Sequence, residues 1–220
     1  MLLKFGETIE DLDIDPEDCE DKEHQMPCES YVHHKHARSP FKPRTKWQKN
    51  ALELVHSDLV EANITSIGGG KYILTFKDDA TSHGMVFILA NKQPSTVLKA
   101  FKGYQAWAER QSGWQIKELR VDCGKEYMGE MLEYIKSEGI EYNPTTGYSP
   151  QSNGVAERMN RTLFEAACTM LDAAGALLEL WGEAVLAACD IQNQLPSRML
   201  GKTPHEAWTG KKPTVKHVRK

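Results

Sequence analysis

Short apolar runs separated by turn-forming residues occupy the chain from about position 51 to position 142. Strand-like patterns cover Leu52–Val60, Tyr72–Phe76, Met85–Leu89, Ile116–Val121 and Ile140–Tyr142. Gly68-Gly69-Gly70 lies between the first two runs and predicts a hairpin there. The pattern therefore predicts five strands, of which the first three follow one another directly.

Other segments repeat their apolar residues at helical spacing. Val97, Leu98, Phe101, Tyr104 and Trp107 predict an amphipathic helix, with Ser95 as its N-cap. Met131, Leu132 and Ile135 predict a second helix that ends at Gly139. Two longer helices are predicted at about 155–174 and 178–194, the latter ending before Pro196. Three strands followed by alternating helices and strands indicate a mixed α/β fold.

The first 50 residues have no sustained period, and their charge is segregated. Residues 1–30 contain 11 acidic and 2 basic residues, a net charge of −9, within a chain whose total is −4. Residues 31–50 contain no acid and six basic residues, namely Lys35, Arg38, Lys42, Arg44, Lys46 and Lys49. With the aromatic residues among them, they are suited to contact nucleic-acid phosphates. Taken alone, however, such a segment is more often a charged linker.

Composition excludes several classes of protein. A chain of 220 residues with 40% hydrophobic and 26% charged residues is typical of one α/β domain with appendages. No apolar run approaches the ~18 residues that would span a bilayer, and the N-terminus becomes polar too early for a signal peptide. The five cysteines are scattered and odd in number, which favours a reducing compartment over a disulfide framework.

Three acids lie in distinctive sequence contexts. Asp58 follows Leu-Val-His-Ser, Asp122 follows Leu-Arg-Val, and Glu157 lies in Gln151-Ser-Asn-Gly-Val-Ala-Glu-Arg-Met-Asn-Arg-Thr162. In this order and spacing they resemble the core of DDE transposases and retroviral-type integrases. Further stretches resemble the integrase region of copia-type long-terminal-repeat retrotransposons over about residues 28–215: His56–Leu59, Tyr72–Phe76, Asp78–Thr81, Trp181–Ala184 and Lys202–Trp208.

The resemblance implies a ribonuclease H-like fold, a five-stranded mixed sheet flanked by helices. It places Asp58 on the first strand, Asp122 at the end of the fourth, and Glu157 at the start of the following long helix. The three would be the catalytic residues and would hold two Mg²⁺ or Mn²⁺ ions, with Asp58 bridging both. Hard cations prefer such carboxylate oxygens, and two of them can serve both the attacking and the leaving oxygen of phosphodiester transfer. The reaction would be 3′-end processing by water and strand transfer by a DNA 3′-hydroxyl.

The implied partners are element-end DNA, target DNA, RNA and further copies of the chain, without a membrane. The implied localisation is the nucleus, with a cytoplasmic particle stage. The residues expected to contact DNA are Gln151, Asn153, Arg158 and Arg161 near the glutamate, together with Lys35, Arg38, Lys42 and Arg44. The alternative for the two arginines is an ordinary helix-surface pair, as between Arg161 and Glu165.

Three departures from the family pattern leave catalytic activity open. Tyr31 stands where the family pattern has the second cysteine that would pair with Cys28 in a zinc site. No zinc site is therefore expected. Cys123-Gly124-Lys125 replaces the usual Asn-Gly-Gly after Asp122, and 34 residues instead of 35 separate Asp122 from Glu157. The alternative function is a catalytically impaired, nucleic-acid-binding remnant of an integrase.

The expected organisation has four parts. An acidic tail covers residues 1–30, and a basic remnant of the zinc-binding region covers 31–50. The catalytic core covers 51–195, and an extension of the core covers 196–220.

Overall fold

The computed structural model describes residues 48–122, 124–145 and 154–214. All of them belong to one compact unit that spans residues 46–220. The acidic tail and almost all of the basic segment therefore lie outside the described residues. Within those ranges, no helix is both long enough and apolar enough to cross a membrane.

Five strands and five α-helices make up the described fold. The strands are β1 (Val55–Glu61), β2 (Tyr72–Asp78), β3 (Gly84–Leu89), β4 (Glu118–Val121) and β5 (Glu141–Pro144). The helices are α1 (Pro94–Ser112), α2 (Glu130–Ser137), α3 (Gly154–Ala174), α4 (Trp181–Gln194) and α5 (Pro204–Thr209). Short 3-10 turns at Lys125–Tyr127 and Leu178–Leu180 precede α2 and α4.

The strands form one mixed sheet in the order β3-β2-β1-β4-β5. The first three strands pair antiparallel, whereas β4 pairs parallel to β1 and β5 parallel to β4. Parallel pairing needs long crossover connections, which α1 and α2 provide. The predicted five-stranded mixed sheet with flanking helices is confirmed.

Alternation along the strands gives the sheet two buried faces. Leu74 and Phe76 of β2 point to one face, where they pack with Phe101 and Tyr104 of α1 and with residues of α2. Ile73 points to the other face, where it packs with side chains of α3 and α4. Because side chains alternate with a period of two, neighbouring residues of a strand serve different layers of the protein.

Several predicted boundaries differ from the structure. β1 begins at Val55 instead of Leu52, because Leu52 has a φ of 62° and donates its backbone N–H to Asp78 Oδ1 at 2.8 Å. Ser95 lies inside α1, whose N-cap is Gln93, so the predicted serine cap is wrong. The pattern also missed α5, a helix of six residues that is too short to show a period.

Candidate active site

The register of the two central parallel strands aligns Asp58 with Asp122. Val55 pairs with Leu119 and His56 with Arg120, so β4 is offset from β1 by 64 residues. Asp58 and Asp122 are also 64 residues apart. Asp58 lies within β1, and Asp122 directly follows the last residue of β4. Continuing the register therefore places the two carboxylates side by side on one face of adjacent strands.

Glu157 approaches the same place from a different layer. It lies in the first turn of α3, the helix that packs on β1 and β2, and its side chain is exposed. Asp58 is buried, with 8% of its surface exposed. Burial, together with the negative charges of Asp122 and Glu157, raises the pKa of Asp58 to about 6. The structure thus brings the three acids into electrostatic contact.

Asn160 completes this arrangement. It lies one turn after Glu157 and is buried, and its Nδ2 donates a hydrogen bond of 2.8 Å to Asp58 Oδ2. This bond opposes the other influences and lowers the pKa of Asp58. The Oδ1 atom of the same amide is buried and has no hydrogen-bond partner among the described residues. An unsatisfied buried oxygen is costly, and it marks a place that a cation or water molecule would fill.

The donor chemistry fits a hard divalent cation. Asp58, Asp122 and Glu157 offer only carboxylate oxygens, and Asn160 Oδ1 adds an amide oxygen beside them. Their convergence is nevertheless incomplete. Within the described ranges, no three His, Cys, Asp or Glu side chains are close enough together to hold one metal ion. The expected metal pair is therefore supported by chemistry and charge, while the described side chains form no finished metal site.

The residues expected to contact DNA are only partly described. Gln151 and Asn153 belong to the segment 146–153, which lies outside the described residues. The basic residues of 31–47 also lie outside them. Arg158 and Arg161 are exposed on α3, and neither is paired with a carboxylate of the described residues, including Glu165. Among the described residues, the alternative of a helix-surface pair is thus not formed, and contact with DNA stays a prediction.

The two acids at the end of β2 support the fold. Asp78 accepts hydrogen bonds from Leu52 N at 2.8 Å and from Thr81 N and Oγ1 at 2.8 and 2.6 Å. Asp79 lies 2.9 Å from His56 Nε2, and both side chains are fully buried. His56 shares a strand face with Asp58 but is held in this pair, as expected for a structural histidine.

No family model matches the chain, but curated relatives do. It is 40% identical over 196 residues to the retrovirus-related Pol polyprotein from transposon TNT 1-94 of Nicotiana tabacum, a match that covers 88% of the chain. The chain is a relative of copia-type retrotransposon Pol polyproteins. It is also 26% identical over 195 residues to the corresponding polyprotein from transposon RE2 of Arabidopsis thaliana. The matched regions are 15% and 13% of those polyproteins, so the chain spans a small part of its Pol relatives.

Solved structures show which fold this part of a Pol polyprotein adopts. The HTLV-2 integrase catalytic core, solved with magnesium in a trimeric form, matches with a TM-score of 0.57 at 15% identity, over 72% of this chain and 97% of that chain. The catalytic core of BIV integrase matches with a TM-score of 0.55 at 19% identity, over 72% and 95%. A simian T-cell lymphotropic virus intasome, in complex with the PP2A regulatory subunit B56 gamma, matches with a TM-score of 0.62 at 15% identity, over 84% and 68%. The Pol relative therefore has the fold of a retroviral integrase core.

Sequence reasoning missed two residues near the acids. Asn160 lies in the quoted glutamate motif, and its position three residues after Glu157 was the available signal, because residues i and i+3 share a helix face. Lys77 follows Thr75 by two, and β1–β2 pairing puts Thr75 opposite Asp58. Strand alternation would have placed Lys77 on the face of the acids once that pairing was known.

Proposed function

We propose that this domain catalyses divalent-metal-dependent polynucleotidyl transfer in DNA integration, comprising 3′-end processing and strand transfer. The observation that carries the proposal is the alignment of Asp58 with Asp122 across two parallel strands, with Glu157 acting electrostatically on the same carboxylate. Acids placed together on a buried sheet face destabilise a fold unless they serve a site. The substrates are element-end DNA and target DNA, and the site of action is the nucleus.

Each residue has a distinct task in this proposal. Asp58, Asp122 and Glu157 would hold two Mg²⁺ or Mn²⁺ ions. Bound cations of this kind supply charge neutralisation at the phosphate and activation of the attacking hydroxyl. Asn160 orients Asp58 through the hydrogen bond to Oδ2 and keeps that carboxylate ionised near neutral pH. Burial of Asp58 excludes water from one side of the site and strengthens its interaction with a cation.

Strand-transfer and disintegration assays on the purified chain test the proposal. Products should form with Mg²⁺ or Mn²⁺ and should be absent with Glu157→Gln, which removes one charge from an exposed position. Glu165→Gln, two turns further along the same helix and also exposed, is the matched control and should retain activity. Absence of products from the parent chain under both metals would refute transfer activity.

Metal binding has a readout that does not depend on turnover. A cation that binds the folded state alone raises its melting temperature by mass action. Millimolar Mn²⁺ should raise the melting temperature of the parent chain and leave Asp58→Asn unchanged. An equal rise in both proteins would show that the ion binds elsewhere.

A second function is favoured by a specific observation. The described part of the chain contains no three His, Cys, Asp or Glu side chains arranged to hold a metal ion, and Cys123-Gly124-Lys125 departs from the family pattern beside Asp122. Both observations suit a catalytically impaired protein that binds nucleic acid. DNA binding by the parent chain, without a metal-dependent shift in melting temperature, would favour this function over catalysis.

A further inference from the structure

A basic cleft borders the acidic site, which is the site formed by Asp58, Asp122 and Glu157. It has a volume of about 400 Å³ and lies between the β2–β3 hairpin, one side of α3, the end of α4 and the segment that leads to α5. Three cationic residues line it, Lys77 from β2, Arg158 from α3 and Arg198 from the segment after α4. Arg158 directly follows Glu157, so a strand held at the acids would have the cleft as its neighbour.

Lys77 is the unusual member of this set. It lies on β2, which is an inner strand of the sheet. Its ammonium forms no ion pair with a carboxylate of the described residues. Burial lowers the pKa of Lys77 and the neighbouring charge of Arg158 lowers it further, whereas the charge of Asp79 raises it. A cation that is both desolvated and repelled by a second cation is stabilised by an anion placed between them.

The carboxylates that line the cleft are already engaged in the fold. Asp78 accepts three hydrogen bonds from Leu52 and Thr81. Asp79 is bound to His56 Nε2 and accepts from Gln48 N at 3.1 Å. Burial raises the pKa of the Cys189 thiol to about 12, so this side chain is neutral and offers no counter-charge.

The remaining walls suit a sugar–phosphate segment more than a free ion. Met159, Leu163 and Leu195 provide apolar surface beside the cations, and the space is larger than one phosphate group requires. Gly84 lets Met159 pack directly on the floor of the cleft, because a Cβ there would lie 2.4 Å from Met159 Cε. Asn193 fixes that floor through two hydrogen bonds to the Gly84 backbone, of 2.9 and 2.8 Å.

We propose that this cleft binds a backbone phosphate of the DNA strand held at the acidic site, through Lys77 and Arg158 with Arg198 at the rim. The inference rests on the proposed function, since it places a substrate contact next to the proposed catalytic residues. It adds a DNA contact made by a strand of the sheet, and a contact to a phosphate does not depend on the base sequence.

Salt-dependent DNA binding tests the inference. The affinity of the full chain for a fluorescein-labelled duplex of arbitrary sequence is measured by anisotropy between 50 and 200 mM NaCl. Lys77→Met keeps the length of the side chain but removes its charge. It should weaken binding several-fold and reduce the slope of log affinity against log salt by about 0.9, the value for one duplex phosphate. Arg158→Gln should do the same, and the double variant should lose little more because both residues hold one phosphate.

Lys71→Met is the matched control. Lys71 precedes β2, is exposed and lies outside the cleft, so removing its charge should leave the slope unchanged. If Lys77→Met folds poorly, Arg158→Gln and the exposed rim variant Arg198→Gln carry the test. An unchanged slope in Arg158→Gln together with either other cleft variant would overturn the inference.

Two further arms separate this inference from its alternatives. Inorganic phosphate at constant ionic strength is added in a thermal-shift measurement on the parent and on Lys77→Met. Stabilisation of the parent alone, combined with unchanged DNA slopes, would show that the cleft takes a free anion and would overturn the DNA assignment.

Strand transfer with unchanged slopes would leave the proposed function standing and refute phosphate binding in the cleft. Reduced slopes without any transfer would support the cleft and refute catalysis.

Discussion

Asp58→Asn should stabilise the folded chain at neutral pH while removing a proposed metal ligand. Asp58 is buried, and its pKa rises from the ordinary value of 3.8 to about 6. Because the folded state holds the proton more tightly than the unfolded state, ionising this carboxyl destabilises the fold. Each pKa step corresponds to about 1.4 kcal/mol, so the full penalty is about 3 kcal/mol. Asparagine keeps the size of the side chain and an oxygen that can accept from Asn160, without the charge.

The pH dependence of this effect has a definite sign. Below about pH 3, both states hold most of the proton and the penalty is small. Between pH 4 and 6 the unfolded chain releases a proton that the folded chain keeps, so the parent loses stability as pH rises. The advantage of Asp58→Asn should therefore be about 3 kcal/mol above pH 7 and about half of that at pH 5.

Urea unfolding at pH 5.0 and 7.5, without divalent cations, measures both values. Glu165→Gln is the control: its side chain is exposed, its charge is not among the causes of the raised pKa of Asp58, and such surface substitutions stay within about 0.5 kcal/mol. Equal stability of Asp58→Asn and the parent at pH 7.5 would refute the reasoning, as would an advantage that does not shrink at pH 5.0. In the first case the carboxylate would be solvated or already compensated. In the second case the gain would come from packing instead of charge.

Three further outcomes are expected. Gly84→Ala should lower the free energy of unfolding by about 1–3 kcal/mol in urea, since its Cβ would displace Met159 from its position beside α4; no loss would show that this methionine moves freely. Thr203→Ala should cost about 1 kcal/mol, because Thr203 Oγ1 caps α5 by accepting from Glu206 N at 3.0 Å, and Thr203→Ser should restore most of it. Deleting residues 1–30, with their 11 acids and 2 bases, should tighten DNA binding measured by anisotropy at low salt; weaker binding would show that this segment contributes contacts.

The sequence predicted those parts of the fold that depend on local alternation. Tyr72–Asp78 extends its predicted strand by two residues, because Lys77 and Asp78 continue the pairing with β1. α3 and α4 begin within a few residues of their predicted starts. Leu52 shows where alternation is insufficient. From the sequence alone, this apolar residue looks like the first residue of a strand. In the structure its backbone is left-handed, and its N–H donates to the distant Asp78. Trp114 is another case, since it is a large aromatic residue that is nevertheless 50% exposed.

The candidate site was predictable only as a set of acids. The resemblance supplied the identities of Asp58, Asp122 and Glu157, and their catalytic role remains a prediction. The charge environment depends on burial and on contacts between residues far apart in the chain. Asn160 reaches Asp58 across 102 positions, and Lys77 meets Arg158 only because α3 packs on β2. Local periodicity alone predicts neither contact, because each one joins elements that are far apart in the chain.

The offset between β1 and β4 determines which changes in chain length the domain can tolerate. A slip of one residue in this pairing would turn Asp122 to the opposite face of the sheet, away from Asp58. Residues added in the β1–β2 connection leave the pairing of β1 with β4 untouched. The exposed Gly68-Gly69 is suited to such an insertion, since a side chain at Gly69 would meet no neighbour, although its φ of 79° favours glycine. The distance of 64 residues between the acids is therefore free to change, provided that the change falls in a connection and the strand pairing is kept. A peptide tag inserted there would lengthen that distance while leaving the two carboxylates side by side.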